Sequence, residues 1–577
     1  MHGMYVKITR SGKRQYLQLV EAVREQGKPR QRHVATLGRL DRLLDADVDA
    51  LVNGLLKATG RAPLGEENAA PKPDEVEFAP ALALGDVWLL LGLWQQLGMA
   101  QALKRTLNRR RVRFDVEALV RVMVFNRLSD PTSKLGLLRW LEGVYLPGIE
   151  RSAVTHQHLL RAMDVVCEHR EALEEAVGAL LLPLLDADLS VVFYDLTTVR
   201  IHGEGEVAED VRQYGCSKDV GGTARQFAVG VVQSAEGLPL AHEVFEGNVY
   251  EAATLEGMVQ RLLARFPTLA RIILVADRGL LNLDNLALLE TLHTPQGTTL
   301  EYILAVPARR YSEYGELCAK LEEKRRARPA GVQGECIEES TDTAGRRVVM
   351  AYDPAQAELQ SRHRDAKIAA IEALAERLVA RLDAQDAGTP GRGRRTSDEG
   401  AFAQVRAAVQ EAGLSRIIHT DLDEGRFLYR VDDKALARAR LFDGKLLLVT
   451  NVRDLDAKAI VHRYKRLADI ERGFRVLKSE IAIAPVYHRL PERIRAHALL
   501  CFLALVLHRV MRLRLKEAGS PLSPARAIAL AQRIHYHRLT LRHREIEGVT
   551  KLTPEQKALF DQLGVERPTT ETVKAAA

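Results

Sequence analysis

Two short apolar stretches decide the fold of this 577-residue chain: residues 191–195 read Val-Val-Phe-Tyr-Asp, and residues 272–277 read Ile-Ile-Leu-Val-Ala-Asp. Each is a run of apolar side chains of the right length for a buried strand, and each ends in a carboxylate. A hairpin pattern follows the first run, and strand and helix patterns alternate around the second. This order predicts a mixed α/β sheet, in which the carboxyl ends of neighbouring parallel strands meet at one edge.

Asp195 and Asp277 would meet at that edge if their strands are neighbours. Two carboxylates at one sheet edge repel each other unless a cation joins them. Oxygen ligands of this kind suit Mg²⁺ or Mn²⁺. The alternative is that each aspartate forms a turn or caps a helix, as strand-end aspartates often do.

A helix is predicted over residues 460–481, and it carries a third acidic residue in an unusual place. Tyr464, Glu471 and Lys478 are spaced by seven, so they share one helical face with a drift of about 20° per heptad. The rest of that face is apolar, whereas a surface helix places its charges on the opposite side. A metal shared with the two aspartates would give the carboxylate the partner that burial requires. The alternative is a partly exposed ion pair between Glu471 and Arg475.

The positive charge of the chain is concentrated at its start. Lys and Arg number 83 against 76 Asp and Glu, and residues 1–42, with ten basic and three acidic residues, account for the whole net charge of +7. A second basic run, over residues 104–113, contains no acidic residue and includes Arg109, Arg110 and Arg111. Such runs suit a phosphate-contacting surface, although the second also suits a solvated helix end.

A third basic segment, residues 508–551, is predicted to consist of helices. It holds ten Lys or Arg residues against three Glu, with His535, Tyr536 and His537 among them. Basic residues interleaved with aromatic ones suit contact with a nucleic-acid backbone. A solvated helical face explains this segment equally well.

Composition excludes several classes of protein. Hydrophobic residues make up 46 % and charged residues 28 %, which is typical of a soluble globular protein and not of a disordered or collagen-like one. The five scattered cysteines include no CxxC pair, which argues against disulfides or a thiolate zinc site and favours a reducing compartment. The longest apolar stretch, Ala498–Leu507, is too short to span a bilayer. We therefore expect a cytoplasmic protein with no membrane partner.

These patterns divide the chain into seven segments. They are a basic N-terminal hairpin unit (1–61), a linker (62–81), a helical, DNA-binding domain (82–187), the first part of the sheet domain (188–307), an insertion (308–444), the second part of the sheet domain (445–485), and a helical C-terminal region with a frayed tail (486–577).

The candidate residues also resemble a known family. Asp195 in Phe-Tyr-Asp-Leu-Thr-Thr, Asp277 in Val-Ala-Asp-Arg-Gly-Leu and Glu471 in a Tyr464-x₂-Leu467-x₃-Glu471-x₆-Lys478 pattern are similar to the DDE transposases of bacterial insertion sequences. The branch is the one whose catalytic Glu lies in a Y-x₂-R-x₃-E-x₆-K signature. The resemblance extends, in the expected order, to residues 214–219, 245–248, 443–444, 448–451 and 493–497 and to the basic N-terminal hairpin.

One position departs from that signature, because Leu467 stands where the family usually has Arg. This departure puts in doubt any transferred DNA contact at residue 467. Arg466 and Arg475 are close enough on the predicted helix to substitute. The three carboxylates are not affected.

The resemblance implies an RNase H-like mixed-sheet catalytic core with a large insertion before Glu471, flanked by the basic hairpin unit and the two helical regions. It also implies that Asp195, Asp277 and Glu471 are catalytic and hold two Mg²⁺ or Mn²⁺ ions about 3.5–4 Å apart. The DNA-binding residues predicted from the resemblance and from the charge runs are Tyr464, Arg466, Arg475, Lys478, Arg109, Arg110 and Arg111.

The implied activity is metal-dependent cleavage of phosphodiester bonds at the terminal inverted repeats of an insertion sequence. The freed 3′-hydroxyls are then joined to target DNA. The implied partners are double-stranded DNA, as element ends and as target, and a second copy of the chain in a homodimer that pairs two ends. The protein would lie in the bacterial cytoplasm, and on the nucleoid when bound.

Two alternatives remain open. One is a catalytically inactive or domesticated DNA-binding protein of transposase descent, against which the three intact carboxylates argue. The other is a metal-dependent nuclease of the same fold that acts outside transposition. The nearly full-length resemblance favours transposition over both.

Overall fold

The computed structural model describes residues 3–25, 28–43, 45–61, 76–107, 114–185, 191–202, 210–217, 222–266, 271–276, 283–294, 297–327, 336–342, 344–388, 395–541 and 544–576. Contacts divide the chain into two units. One comprises Met1–Pro80 and His537–Glu547, and the other comprises Ala81–Tyr536 and Gly548–Ala577. Most of the predicted linker 62–81 lies outside the described residues.

The smaller unit contains an antiparallel sheet of three strands in sequence order, followed by one helix and a short strand. Gly12 has a φ of +60° in the two-residue turn between the first two strands, a conformation that such turns require and glycine adopts freely. The elements are β1 (Met4–Ser11), β2 (Arg14–Glu25), β3 (Lys28–Arg39), α1 (Asp45–Ala58) and β4 (Val76–Phe78).

The larger unit begins with a short strand and six helices. Their buried faces pack together, with Trp94 edge-on to Phe125 and its indole N–H donating to Glu117 Oε1 at 2.9 Å. The elements are β5 (Leu82–Ala83), α2 (Gly85–Gln96), α3 (Met99–Leu107), α4 (Val116–Ser129), α5 (Lys134–Trp140), α6 (His156–Glu168) and α7 (Arg170–Leu181).

A large mixed sheet follows these helices. Its first elements are β6 (Val191–Arg200), β7 (Gln213–Ser217), β8 (Gly222–Ser234), β9 (Pro239–Glu246), α8 (Leu255–Arg265), β10 (Ile273–Ala276), α9 (Leu283–Thr291) and β11 (Glu301–Ala305). Strands β9, β8 and β6 are successive antiparallel neighbours, and β6, β10 and β11 are successive parallel neighbours. The two apolar stretches of the sequence are thus adjacent central strands, buried on both faces as their continuous apolar character requires.

Beyond β11 the sheet continues through three antiparallel strands, in the order β11-β16-β13-β12. The predicted insertion 308–444 therefore starts with elements that join the main sheet. The part after β13 has its own apolar core, which includes Ile371, Val405 and Phe427. The elements are α10 (Gly315–Arg326), β12 (Cys336–Thr341), β13 (Arg347–Tyr352), α11 (Pro354–Asp386), α12 (Asp398–Ala412), β14 (Ile418–Asp423), β15 (Arg426–Val431), α13 (Asp433–Leu441) and β16 (Lys445–Thr450).

The C-terminal part of the chain differs from its prediction as an all-helical region with a frayed tail. His535–Leu541 and Arg544–Val549 are strands, and His535–Tyr536 pair with β5. The tail ends in a helix whose Val573 is fully buried. The elements are α14 (Ala457–Lys465), α15 (Ala468–Ser479), α16 (Pro491–Glu517), α17 (Pro524–Ala531), β17 (His535–Leu541), β18 (Arg544–Val549), α18 (Pro554–Gln562) and α19 (Thr570–Ala576).

Helix α16 forms the centre of the larger unit. Among the described residues it is the one helix long and apolar enough to cross a membrane, yet 94 % of its most apolar window is buried inside the protein. It packs against α4, α6 and the sheet strand β9. A helix that is apolar on all sides is buried in this way at the core of a large protein.

Candidate active site

Asp195 lies beside the point where the parallel pairing of β6 and β10 ends. The last paired residues are Tyr194 and Ala276, so Asp195 directly follows that pair. The sequence predicted that the strand ends at Asp195, but β6 continues to Arg200 because β8 pairs with it along its other edge. Asp195 is half-buried, and its Oδ1 accepts the Leu196 N–H at 2.7 Å.

The face of the sheet on which Asp195 lies follows from the alternation of β6. Tyr194 and Leu196 belong to the apolar core on one face, whereas Phe193 and Val199 belong to the core on the other. Asp195 therefore shares the face of Phe193. Phe474 of helix α15 is buried in that same core, and α15 contacts β6. The helix that carries Glu471 thus lies on the Asp195 face of the sheet.

Asp277 lies outside the described residues. The residue before it, Ala276, is the last described residue of β10 and the register partner of Tyr194. Ile273 and Val275 belong to the core on the Asp195 face.

The predicted helix 460–481 is in fact two helices, α14 and α15, separated by a tight turn. The Leu467 N–H donates to the Tyr464 carbonyl three residues back, at 2.9 Å, instead of four residues back. Leu467 itself is buried at this turn, so tertiary packing overrides a continuous helical pattern. Tyr464 therefore does not share an unbroken helical face with Glu471. Glu471 and Lys478 are both in α15, although the Glu471 side chain is outside what the structure describes.

The predicted DNA-binding residues differ in their surroundings. Arg466 is tied to the protein itself, because its Nη2 donates to the Ala235 carbonyl at 2.9 Å. Tyr464 packs partly buried against the core, Lys478 is half-buried and Arg475 is exposed. The predictions for Arg109, Arg110 and Arg111 fall on residues outside the described ranges.

A charged cluster fixes the strands of the site at the end opposite Asp195. Arg271, just before β10, donates to both carboxylate oxygens of Asp454 at 2.7 and 2.6 Å and also to Glu301 at the start of β11. These hydrogen bonds raise the pKa of Arg271 above its ordinary value, and the pKa of Asp454 is lowered by its hydrogen bond with Arg271. The loop that leads into α14 is thereby attached to the two parallel strands.

Two motif segments of the family resemblance have structural roles. Asn451 accepts the Tyr302 N–H at 2.8 Å and donates to the Leu300 carbonyl at 2.9 Å, which holds the end of β16 against β11. Gly444 has a φ of +68°, and a Cβ there would lie 2.4 Å from the Asp353 carbonyl oxygen. The preceding Asp443 forms a buried ion pair with Arg364. These residues shape the connection between the sheet and the part of the chain that follows β13.

Gly473 is a positioning residue that the sequence analysis missed. A Cβ on this residue of α15 would lie 2.5 Å from Nε2 of Gln233, a fully buried side chain of β8. The helix therefore approaches the sheet more closely than any larger residue permits. The available signal was a glycine inside a helical pattern, which often marks close packing.

We expect Gly473→Ala to displace α15 from the sheet. The overpacking should cost about 1–3 kcal/mol of folding free energy. Because the sequence predicts that α15 carries a catalytic residue, a displacement of about 1 Å should also lower the predicted DNA cleavage by about tenfold or more. Rates of end cleavage and the unfolding midpoint of the purified protein test this expectation.

Two variants control for that result. Gly257→Ala adds a methyl group inside α8 where the structure has open space, and it should stabilise the protein by about 0.5–1 kcal/mol. Adding Gln233→Ala to Gly473→Ala removes the side chain that the new methyl meets and should restore cleavage. An unimpaired Gly473→Ala enzyme would show that close approach of α15 is unimportant.

The predicted metal site cannot be assembled from the described residues alone. Among the side chains that the structure describes, no three His, Cys, Asp or Glu residues are grouped closely enough to hold a metal ion. Of the three predicted ligands, only Asp195 has a described side chain. The geometry of a site formed by all three thus remains a prediction.

Comparison with family models identifies the class of protein to which this sheet belongs, with its acidic residue beside the central parallel pair. Residues 186–507, more than half of the chain, match the transposase DDE domain, and the chain belongs to the DDE transposases of insertion sequences. Residues 6–69 match the IS1634 family transposase N-terminal domain. No curated protein matches the chain. The resemblance inferred from the sequence motifs is confirmed at the level of the family.

Proposed function

We propose that this protein binds the terminal inverted repeats of an insertion sequence, cleaves phosphodiester bonds at the element ends, and joins the 3′-hydroxyl ends to target DNA. The observation that carries the proposal is the position of Asp195. It follows the last register pair of β6 and β10, on the face of the sheet that α15 covers. The match to the transposase DDE domain supports an enzyme of this kind.

The strand order supports an RNase H-like core. Three antiparallel strands, β9, β8 and β6, continue into two parallel ones, β10 and β11. We infer that β12, β13 and β16, with the helices and hairpin between β13 and β16, are the insertion that precedes the catalytic Glu. Basic residues of the N-terminal unit and of the helices before β6 are proposed to recognise the element ends.

The donor set suits divalent metal ions. Asp195 is half-buried and offers carboxylate oxygen, which is the ligand type that Mg²⁺ and Mn²⁺ prefer. Asp195, Asp277 and Glu471 would hold two such ions. Bound there, the ions would lower the pKa of an attacking water or hydroxyl group and stabilise charge on the leaving oxygen.

The other predicted residues would bind and orient DNA. Arg475 is exposed and Lys478 is half-buried on the same helix as Glu471, so both are proposed to contact phosphates beside the cut. Arg466 is proposed to act indirectly, because its guanidinium holds the Ala235 carbonyl in the β8–β9 turn. We propose that a homodimer in the cytoplasm is the working assembly, with each protomer engaging one end.

The proposal predicts cleavage that requires both a divalent metal and the correct DNA. The full-length protein, incubated with a duplex that carries its element's terminal inverted repeats, should nick the repeat ends in Mg²⁺ or Mn²⁺. It should then transfer the 3′ ends into a supercoiled target. Chelation of the metal should abolish both products, because the carboxylates alone cannot activate the attacking oxygen. Sequencing of the product ends provides the measurement.

Other results of this experiment would identify the alternatives. Specific binding of the repeats without cleavage in either metal would indicate an inactive descendant of a transposase. Cleavage without preference for the repeat ends would indicate a nuclease. A scrambled duplex of the same composition is the matched control.

A further inference from the structure

A second concave site lies away from Asp195, where α4, α5 and α6 meet residues 482–490 and the start of α16. We call it the Lys134 pocket. Its volume is about 470 Å³, a size typical of ligand sites. Its lining contains no Asp or Glu among the described residues. Apart from Tyr487, the ionisable side chains that line it are basic: Arg127, Lys134, His156, His488, Arg489, Arg493 and His497.

Two of these basic side chains are buried and form no ion pair with the described part of the chain. Lys134 is only 6 % exposed, and among the described residues its ammonium has no hydrogen-bond or ion-pair partner. Arg127 is 5 % exposed; its Nη1 donates to the Ala482 carbonyl at 3.0 Å, and its Nε has no described partner. Burying an unpaired cation is costly, so a pair of them facing one pocket indicates a site for an anion.

Burial, and then the adjacent Arg127, lower the pKa of Lys134 to about 7. Without a bound anion Lys134 is about half protonated at pH 7, and an anion beside it would favour the charged form. Burial, and then Lys134, lower the pKa of His488 to about 4, so this imidazole is neutral at pH 7. Behind it, burial lowers the pKa of His497 and raises that of Cys501. Of the carboxylates nearby, Asp130 attracts Arg127 without forming an ion pair, and Asp164 is paired with Arg493 at 2.8 Å.

We propose that the Lys134 pocket binds a phosphate group, with Lys134 and Arg127 as its cationic ligands. Its place in the fold indicates that this phosphate belongs to DNA. The loop 482–490 follows α15 directly, and Val486 of that loop accepts the His202 N–H at 3.0 Å and forms a bridge with Ile201. This part of the inference rests on the function proposed above.

The connection to β6 also relates the pocket to Asp195. Ile201 lies six residues beyond Asp195, or about 20 Å at the rise of an extended strand. Apolar side chains at the pocket mouth, Leu135, Leu160 and Leu490, would exclude water around the bound phosphate.

The first test uses inorganic phosphate and the full-length protein without DNA. Phosphate should raise the melting temperature by about 2 °C or more over a chloride solution of equal ionic strength. Lys134→Met should lose that increase. It should melt no lower than the wild type in chloride, because an unpaired buried charge is removed. Lys516→Met, which changes an exposed lysine of α16, should respond to phosphate like the wild type.

The second test asks whether the phosphate belongs to DNA. Lys134→Met should weaken binding of the terminal repeat duplex by about tenfold. The slope of log affinity against log salt concentration should become shallower by about one, the value expected for one lost phosphate contact. A set of duplexes, each with one phosphate replaced by a neutral methylphosphonate, should locate the bound phosphate. At that one position the replacement should lower the affinity of the wild type but not that of Lys134→Met.

Each outcome has a definite meaning. No response of the wild type to phosphate would overturn the proposal, whatever the protein does to DNA. A phosphate response that Lys134→Met loses, with unchanged DNA affinity, would support the pocket and overturn its assignment to DNA. Normal phosphate and DNA binding without end cleavage would contradict the proposed transposase function and leave the pocket supported.

Discussion

Replacing Asp195 with Asn is expected to abolish end cleavage while leaving DNA binding intact. The amide has the shape of the carboxylate but lacks the charge that holds a divalent ion, so transition-state stabilisation is lost. We expect the rate to fall about a thousandfold or more, equivalent to about 4 kcal/mol. Single-turnover cleavage of a labelled terminal repeat gives the rate, and gel retardation gives the affinity.

The chain offers a closely matched control for this substitution. Asp421 lies in β14, is followed by a leucine, and accepts that leucine's N–H at 2.8 Å, as Asp195 does at 2.7 Å. Asp421→Asn should therefore cleave DNA at the wild-type rate. Asp195→Cys adds a test of direct ligation, because a softer ligand should restore some activity in Mn²⁺ but not in Mg²⁺. Wild-type cleavage by Asp195→Asn would remove this residue from the catalytic site.

The second large effect is expected from Glu174→Gln, through stability. Glu174 of α7 is 3 % exposed, lies 3.0 Å from His242 of β9, and is paired with Arg265 of α8. Removing one partner of a buried ion pair leaves the others unpaired, at a cost of about 3 kcal/mol or more. The midpoint of urea unfolding should fall accordingly. Glu175→Gln, one residue further along and exposed, should change little.

The same carboxylate should also make stability depend on pH. Burial would raise the pKa of Glu174, but attraction and hydrogen bonding from His242 and Arg265 outweigh it and lower the pKa to about 2. A carboxylate whose pKa is lowered on folding stabilises the protein above its ordinary value near 4.5 and loses that contribution as the pH falls towards 2. The stability difference between wild type and Glu174→Gln should therefore shrink between pH 5 and pH 2. A constant difference over that range would contradict this role.

The parts of the fold that the sequence predicted are those defined by local pattern. The runs before Asp195 and Asp277 are continuous and apolar because both strands are covered on both faces. The sequence left open whether the two strands are neighbours, and the register of β6 and β10 shows that they are. Asp195 could be singled out for the same reason. What a local pattern did not indicate is that β6 continues past Asp195, because that extension depends on pairing with β8.

The errors arose where distant residues decide the local structure. Strand β17 was predicted as helix, and it is a strand because β5, more than four hundred residues earlier, pairs with its first residues. The helix 460–481 is broken at a leucine whose burial depends on the surrounding core. Lys134 was not singled out from the sequence, since the absence of a partner is a property of the assembled pocket.

Asp353 and Gly444 lie where the chain leaves the sheet after β13 and returns to it before β16, and this arrangement affects which changes in length the segment between them can tolerate. The Asp353 N–H donates to the Gly444 carbonyl at 2.9 Å, and the adjacent residues Tyr352 and Lys445 are a register pair of β13 and β16. The chain thus leaves the sheet and returns to it at the same place. Joining β13 to β16 needs no more than a short turn, and a longer connection adds little closure entropy. The segment between them is a module that can lengthen, shorten or be exchanged while the catalytic sheet keeps its register.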